Sequence, residues 1–311
     1  TNDMAICIHC GQCANVCPTD SIHERDEYQK VKKWIHDKDK IVVVSTSPSV
    51  RVSLGEAFQM EPGSFVEGKM VALLRKLGFD YVLDTNFAAD LTIMEEANEL
   101  VERIQNNGTL PQFTSCCPAW IKYVETFKPQ YIPNLSTAKS PIGMQGPTVK
   151  SYFAKKMGID PERIINVALT PCTAKKFEIR REELNDAKTY LELPEIKDMD
   201  HVITARELAK WAKEENIDFS SLPDDTYDPL MSQASGGGIL FGNSGGVMEA
   251  ALRSAYHIMT NKEPKAELLN LQPVRGFDDV KAGSLDINGI EVKFAVISTT
   301  ASAERFLHQI E

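Results

Sequence analysis

Cysteine is the residue whose placement in this 311-residue chain most clearly suggests chemistry. Four of the seven cysteines fall in one short run with the spacing C-x2-C-x2-C-x3-C, followed by proline. An odd number with an adjacent pair is a poor framework for disulfides, because neighbouring cysteines cannot easily bridge to each other. We therefore predict metal or redox chemistry in a reducing compartment. The seven are Cys7, Cys10, Cys13, Cys17, Cys116, Cys117 and Cys172.

The N-terminal run has the spacing with which thiolates bind a cubane 4Fe–4S cluster. In that arrangement Cys7, Cys10 and Cys13 bind three corners, and Cys17 usually serves a second cluster. Zinc is the alternative, but zinc sites prefer paired C-x2–4-C knuckles. No second run follows downstream, so the missing fourth ligand would come from before Thr1. The sequence thus predicts a chain cut at its N-terminal end.

Charged residues form a stripe on a predicted helix at residues 91–105. Glu96, Glu99 and Arg103 are spaced i, i+3 and i+7, so they share one helix face. Taken alone, this stripe is more typical of a solvated, salt-bridged face than of a functional site. Residues 106–108 (NNG) predict the end of the helix. The apolar stripe beside the charged one consists of Ile93, Ala97, Leu100, Val101 and Ile104.

The elements that position these residues follow an alternating pattern. Apolar segments at residues 40–50, 165–170 and 291–298 predict strands buried in a parallel sheet. Helical patterns lie between them, at residues 68–77, 91–105 and 202–214, which is typical of an α/β architecture. Residues 113–118 and 169–172 each resemble a strand running into a loop. Because ligands bind beyond the carboxyl ends of parallel strands, we expect Cys117 and Cys172 to converge.

Length, charge and composition exclude several classes of protein. At 311 residues, two domains or one large domain with an appendage are expected. The net charge of -10 argues against a nucleic-acid partner. No run of about 18 apolar residues predicts a membrane span, and no secretory signal opens the sequence at Thr1. We predict a cytoplasmic protein, with the periplasm as the alternative. The histidines form no ligand pattern, and we predict no role for them.

Two segments, TSCCPAW at residues 114–120 and PCTAKKFE at residues 171–178, resemble the first two signature segments of iron-only (di-iron) hydrogenases. The likeness continues in order through residues 45–55, 92–108, 139–146, 198–209 and 242–254, so it covers nearly the whole chain from about Cys7 onward. It implies two mainly parallel-sheet lobes flanked by helices, with the active site between them. A small ferredoxin-like segment would occupy residues 1–28, and the catalytic domain residues 29–311.

The resemblance also implies a cofactor, the H-cluster. In the family this is a 4Fe–4S cubane bridged by a cysteine sulfur to a di-iron unit with carbon monoxide, cyanide and an azadithiolate. Cys117 and Cys172 match two of the four cubane ligands. Cys116 matches the thiol that passes protons to and from the amine, although a buried thiol acting as a small hydrophobe is the alternative. Lys175 matches the lysine whose ammonium binds a cyanide ligand. Other pocket-lining positions are matched by Pro48, Ser49 and Pro141.

The same resemblance implies a function for the charged stripe. Glu99 and Glu96 match the family's proton route, with Ser136 between them and Arg103 near the surface. Such a route works only where the carboxylates are desolvated enough to titrate near the working pH. We predict that protons leave through Cys116, then Glu99, Ser136 and Glu96.

The implied function is reversible oxidation of dihydrogen and reduction of protons. Electrons would pass through the N-terminal cluster to ferredoxin, a cytochrome or a similar carrier; maturation factors and a further subunit are the other implied partners. The alternatives are a hydrogenase-like protein of cytosolic iron–sulfur assembly, a sensory homologue and a plain electron-transfer subunit. Cys116 favours catalysis, because the assembly and sensory relatives generally lack that thiol.

The C-terminal end of the sequence determines how many ligands of the cofactor this chain can supply. The family's other two cubane ligands lie in a segment beyond residue 311, and no cysteine follows Cys172 in this sequence. We therefore expect a chain that is also cut at its C-terminal end. A divergent protein, or a partner chain that donates the ligands, is the alternative.

Overall fold

The fold is described by a computed structural model for residues 6–265 and 269–310. The strands in these ranges are β1 (Ile41–Thr46), β2 (Tyr81–Asp84), β3 (Ile164–Thr170), β4 (His201–Thr204), β5 (Gln272–Pro273), β6 (Val280–Ile287) and β7 (Ile290–Ile297). The α-helices are α1 (Gln12–Asn15), α2 (Tyr28–Ile35), α3 (Val50–Ser53), α4 (Glu67–Leu77), α5 (Asn86–Gln105), α6 (Pro118–Phe127), α7 (Pro141–Thr148), α8 (Ala154–Met157), α9 (Lys175–Glu178), α10 (Asp186–Leu191), α11 (Ala205–Glu214), α12 (Gly236–Phe241), α13 (Gly246–Thr260) and α14 (Thr300–Ile310).

The chain divides into two compact units. The first unit comprises Thr1–Ala88 and Lys139–Ala234, and the second comprises Ala89–Ala138 and Ser235–Glu311. Among the helices of the described ranges, none combines the length and the apolar character that crossing a bilayer requires.

The first unit is built on a parallel sheet. Its strands lie in the order β2-β1-β3-β4, and every neighbouring pair is parallel. Successive residues of β1 point to opposite faces: Val42 and Val44 belong to one buried apolar cluster, and Val43 belongs to another. All residues of β3 are buried. A sheet covered on both faces explains why these strands read as continuous apolar runs, and the predicted α/β class is confirmed.

Two predicted elements of the sequence are wrong in detail. Residues 202–214 do not form one helix, because the strand β4 occupies residues 201–204 and α11 begins at Ala205. A capping box sets that boundary: Thr204 Oγ1 accepts from the amide of Glu207 at 3.2 Å, and the Glu207 carboxylate accepts from the amide of Thr204 at 2.7 Å. Residues 113–118 form no strand, since Phe113 makes only an isolated bridge with Leu135.

The second unit contradicts the expectation of a second parallel lobe. Its described strands form an antiparallel sheet in the order β5-β6-β7, with Ile287 paired to Ile290. Asn288 and Gly289 connect β6 to β7 with φ angles of 53° and 86°. A two-residue connection with two positive φ angles is typical of a tight hairpin, and such a turn can join only antiparallel strands.

The helix that carries the charged stripe runs across the boundary between the units' residue ranges. Helix α5 was predicted at residues 91–105 and begins five residues earlier, at Asn86. Ala97 and Val101 are buried against Ala255 of α13. Asn107 adopts a φ of 51° just beyond the end of the helix, as the NNG segment predicted. The packing fixes which face of α5 points inward and so orients the charged residues beside it.

Candidate functional site

A chain of hydrogen bonds connects Ser136, Glu99 and Arg103 of the predicted proton route within the second unit. The Ser136 hydroxyl donates to Glu99 Oε2 at 2.6 Å, and the amide of Thr137 donates to the same oxygen at 2.9 Å. Glu99 Oε1 accepts from Arg103 Nη2 at 2.7 Å. Ser136 also lies close enough to Glu96 to lower the pKa of that carboxyl group. We call Glu96, Ser136, Glu99 and Arg103 the carboxylate relay.

Glu96 is the most deeply buried carboxylate of the relay. Its residue is 1% exposed, and its Oε1 accepts from the amide of Ser115 at 3.2 Å. Burial, and to a smaller extent the charge of Glu99, raise the pKa of Glu96 to about 7 against the opposing effect of Ser115 and Ser136. Within the described residues, Glu96 Oε2 makes no hydrogen bond. This carboxyl group can therefore gain and lose a proton near neutral pH.

The relay has a deeply buried end at Glu96 and a less buried, outer end at Glu99. Glu96 contacts Ser115, the neighbour of Cys116, whereas Glu99 contacts Arg103. The Arg103 side chain is 12% exposed and donates to the backbone carbonyls of residues 109, 134 and 135. The sequence placed Glu99 next to Cys116, whereas the contact with Ser115 favours Glu96 for that place; the order of proton transfer stays a prediction.

The adjacent cysteines lie at the start of α6. Cys117 is the N-cap residue with an extended backbone, and Pro118 occupies the first helical position. Cys116 is half-buried, and Cys117 is exposed. Neighbouring side chains in extended backbone point in different directions, so one sulfur can bind metal while the other faces elsewhere. The backbone thus allows different roles for the two sulfurs, and the roles assigned to Cys116 and Cys117 stay predictions.

In the first unit, Cys172 follows the carboxyl end of β3, as predicted. It is half-buried, and its amide lies 3.4 Å from the Thr170 hydroxyl. Pro48 and Ser49 follow the carboxyl end of β1, the parallel neighbour of β3, where Pro48 is half-buried and Ser49 is exposed. Residues beyond two adjacent parallel strands meet at the same edge of a sheet, which is where α/β proteins bind ligands.

The predicted cyanide-binding lysine lies close by, in α9. Lys175 is 8% exposed, and its ammonium contacts both carboxylate oxygens of Glu178 at 3.0 and 2.9 Å. Glu178 also accepts from the Ser140 hydroxyl at 3.1 Å, and Ser140 caps α7 immediately before the buried Pro141. Glu178 and Ser140 were not predicted as site residues. The i, i+3 spacing of Lys175 and Glu178 was the available signal.

The N-terminal cysteines present a donor set that suits iron–sulfur chemistry. Cys7, Cys10 and Cys13 are exposed, and Cys17 is half-buried. Hydrogen bonds from Ser21 and Thr19 lower the pKa of Cys17 to about 6, which favours the thiolate that binds iron.

Across the described ranges, no three His, Cys, Asp or Glu side chains are placed to share a single metal ion. A cubane does not require that placement, because each of its thiolates binds a different iron atom. The residues present therefore fit a 4Fe–4S cluster at the N-terminal run. Within the first unit, Cys172 and the buried ammonium of Lys175 offer a thiol and a cation to a further cofactor.

Comparison with known proteins identifies the family. The family described as iron-only hydrogenase large subunit, C-terminal domain, matches residues 40–311, and a 4Fe–4S binding domain matches residues 2–23. The chain belongs to the iron-only hydrogenase large-subunit family. The matched domains imply a 4Fe–4S cluster at the N-terminal run and, as in the family's homologues, an H-cluster in the larger domain.

The relatives differ in how much of their length this hydrogenase-family chain covers. Iron hydrogenase 1 of Clostridium pasteurianum is 44% identical over 93% of the chain, which spans about half (49%) of that protein. The periplasmic Fe hydrogenase large subunit of Nitratidesulfovibrio vulgaris is also 44% identical, over 98% of the chain and 77% of that protein. A more distant relative, cytosolic iron-sulfur assembly component 3 of Bos taurus, is 33% identical over 80% of the chain and 54% of that protein.

The fold agrees with a solved member of the family. The chain superposes on a variant of the apo FeFe-hydrogenase HydA1 from Chlamydomonas reinhardtii with a TM-score of 0.80 and 36% identity, covering 91% of this chain and 77% of that one. Cys117 belongs to the second unit and Cys172 to the first. Their convergence, the individual roles of the site residues and the domain boundary at residue 28 stay predictions.

Proposed function

We propose that this chain is the catalytic part of an iron-only hydrogenase that oxidises dihydrogen or reduces protons. The carboxylate relay carries the proposal, because a buried carboxyl with a pKa of about 7 is joined through a serine to an outer carboxylate and an arginine. A reaction that makes or consumes protons away from water needs such a route. A protein that only stores clusters has no use for it.

The ligand roles follow from matched positions. Cys117 and Cys172 would bind the cubane of the H-cluster, and the Lys175 ammonium would bind a cyanide ligand at the edge of the first unit's sheet. When bound, the H-cluster supplies the iron site at which dihydrogen is split heterolytically. The Glu178 carboxylate lies 2.9 Å from the Lys175 ammonium and positions it in its buried place.

Proton transfer is the task of this chain's own side chains. Cys116 would exchange protons with the cofactor and pass them to Glu96, whose backbone contact is Ser115, the residue before Cys116. Protonated Glu96 can donate to Ser136, which in turn donates to Glu99 at 2.6 Å. Arg103 is a permanent cation that accepts no further proton, and its charge beside Glu99 favours release of the proton from that carboxyl at the outer end. The proposed order is Cys116, Glu96, Ser136 and then Glu99.

Electrons would leave through the N-terminal cluster bound by the run that begins at Cys7. The acceptor would be a ferredoxin, a cytochrome or a similar carrier. Of the two compartments considered, a periplasmic relative at 44% identity supports the periplasm, and the spacing of the cysteines, typical of metal or redox chemistry, supports a reducing compartment such as the cytoplasm.

A second candidate function is iron–sulfur cluster assembly without hydrogen turnover. The 33% identical assembly component favours this candidate, since the resemblance covers 80% of the chain. Cys116 and the titratable Glu96 argue against an assembly function, because cluster delivery requires neither a proton-donating thiol nor a proton route.

Infrared spectroscopy of the matured, full-length protein distinguishes the candidates. We expect absorption bands of metal-bound carbon monoxide and cyanide, together with exchange between D2 and solvent protons. A protein that holds its iron–sulfur clusters after maturation, yet has neither the bands nor the exchange, would be an assembly or sensory homologue.

A further inference from the structure

The loop that carries the N-terminal cysteines touches the segment that follows Cys172. His9 lies between Cys7 and Cys10, and its ring stacks on Phe177 with centroids 4.6 Å apart and planes inclined by 16°. The backbone carbonyl of His9 accepts from the Thr173 hydroxyl at 3.0 Å. Both contacts lie within the first unit.

Gly11 allows this close approach. Its φ angle is 81°, and a Cβ at this position would lie 2.7 Å from Thr173 Oγ1. A side chain would therefore strain the backbone and also push the cysteine loop away from Thr173. The glycine between Cys10 and Cys13 is thus required twice, for its conformation and for its lack of a side chain.

A second attachment holds the same two segments together. The Lys176 ammonium donates to the carbonyl of Arg25 at 2.6 Å and binds the buried Glu207 at 2.6 Å. The Thr204 hydroxyl donates to Glu24 at 2.9 Å. The end of the cysteine-bearing segment is therefore anchored as firmly as the loop itself.

The segment after β3 consequently has two faces. Thr173, Lys176 and Phe177, spaced i, i+3 and i+4, contact the N-terminal segment. Lys175 instead binds the buried Glu178, which also accepts from Ser140. One face of this turn and short helix serves the active-site positions, and the other receives the cysteine loop.

We propose that His9, Thr173 and Phe177 are positioning residues that couple the N-terminal cluster electronically to the cluster ligated by Cys172. This inference rests on the proposed function. Cys10 is joined to His9 by a peptide bond, and Thr173 to Cys172 by another, so only the 3.0 Å hydrogen bond interrupts the covalent path between two metal ligands. Electron tunnelling falls more steeply across a gap without bonds than along bonds, so this contact sets the coupling.

The coupled event is a single electron transfer. In the direction of dihydrogen oxidation, the cluster bound through Cys172 is oxidised by one electron, and the cluster bound by Cys7, Cys10 and Cys13 is reduced by that electron. Dihydrogen is the reductant, its protons leave separately, and no bond of the chain is made or broken.

Two substitutions test the proposal in the matured, full-length protein. Thr173→Val removes the hydroxyl and keeps the side-chain shape, and His9→Ala removes the stacked ring. The matched controls are Thr226→Val and His36→Ala, at exposed positions of the same unit. After mixing with dihydrogen, rapid freezing and electron paramagnetic resonance follow the reduction of the N-terminal cluster. Exchange of D2 with solvent protons is measured in parallel, because it needs no electron to leave the active site.

We expect the N-terminal cluster to be reduced several-fold more slowly in Thr173→Val and His9→Ala, with the exchange rate unchanged and both controls like the parent. Unchanged reduction kinetics in Thr173→Val would overturn the proposal. Loss of the N-terminal cluster's signal in dithionite-reduced Thr173→Val would overturn it as well, because the hydroxyl would then serve assembly rather than coupling. Absence of D2 exchange in the parent would instead contradict the proposed function.

Discussion

Buried carboxylates serve opposite purposes in the two units. Glu96 in the second unit is 1% exposed and has a pKa raised to about 7, chiefly by burial. Glu27 in the first unit is 2% exposed, and burial also pushes its pKa upward. There, however, a hydrogen bond with His201, the charge of Arg180 and the amide of Val202 outweigh burial and lower the pKa of Glu27 to about 2.

The comparison shows that pairing, rather than depth, decides whether a buried carboxylate titrates near neutral pH. The arginine of the relay binds the outer Glu99, so no cation contacts Glu96 directly in the described part of the chain. In the first unit, Lys176 binds Glu207 and Arg180 binds Glu27. We call Glu27, Lys176, Arg180, His201 and Glu207 the charge anchor. The lowered pKa of Glu27 keeps this carboxylate of the charge anchor charged at neutral pH, whereas Glu96 of the relay can change its charge there.

The largest effect is expected at the inner end of the proton route. Cys116→Ser replaces a thiol by a hydroxyl that is far harder to deprotonate, so dihydrogen turnover should fall by about 10²–10⁴-fold, the usual contribution of a positioned acid or base. The infrared bands and the iron content should stay as in the parent, because Cys117 keeps its sulfur. Full turnover in Cys116→Ser would remove this thiol from the route.

The sequence predicted the parts of the fold that depend on local pattern. Continuous apolar runs marked β1 and β3, and helical spacing marked α5 and its NNG end. Two errors were avoidable, since Asn288-Gly289 is a hairpin signal and Thr204 with Glu207 is a capping box. Both signals are local. The expected parallel lobe outweighed the hairpin signal, and the expected helix at residues 202–214 outweighed the capping box.

The remaining features depend on contacts between distant segments. Glu96 and Glu99 share one stripe of α5, and only packing against residues 113–115 decides which of them is inside. Glu27 and Glu207 are separated by 180 residues, and their contact is invisible to spacing. The same holds for His9, which forms no ligand pattern in the sequence and stacks on Phe177 in the structure.

Breaking the charge anchor should cost more stability than any change in the relay. Lys176→Met leaves the buried carboxylate of Glu207 without its cation, which typically lowers the free energy of unfolding by about 3–5 kcal/mol. Lys210→Met is the matched control, because the Lys210–Asp26 pair is exposed and should contribute little to stability. Anaerobic chemical denaturation followed by circular dichroism measures both. Equal losses of unfolding free energy in the two variants would show that the buried Lys176–Glu207 pair stabilises the fold no more than the exposed pair does.

Glu96 should make stability depend on pH in the opposite sense to a paired carboxylate. The folded chain keeps the proton of Glu96 up to a pKa of about 7, whereas the unfolded chain releases it near the ordinary value of 4.5. Between these values the folded state binds more protons, so the free energy of unfolding falls as the pH rises. The total fall is on the order of 3 kcal/mol at most, from a shift of about 2.5 units (7 − 4.5).

Glu96→Gln should abolish that fall and slow turnover as well, because an amide cannot carry the proton. The difference in unfolding free energy between variant and parent should therefore grow from about pH 4.5 to about pH 7 and then stay constant. Glu95→Gln, at the exposed neighbouring position of α5, serves as the control and should show no such trend. A constant difference across this pH range would mean that Glu96 is ionised throughout.

The smallest effect is expected at the outer end of the relay. Arg103→Lys keeps the positive charge beside Glu99 but loses the planar fork that also binds three backbone carbonyls. The free energy of unfolding should fall by about 1–2 kcal/mol, as for one or two lost hydrogen bonds. Dihydrogen turnover should change little, because the positive charge beside Glu99 is retained. Arg103→Gln, which lacks that charge, should slow turnover more than Arg103→Lys at similar stability. If the two variants have equal turnover, Arg103 only stabilises the loop at residues 109–135, and its charge has no part in proton transfer at Glu99.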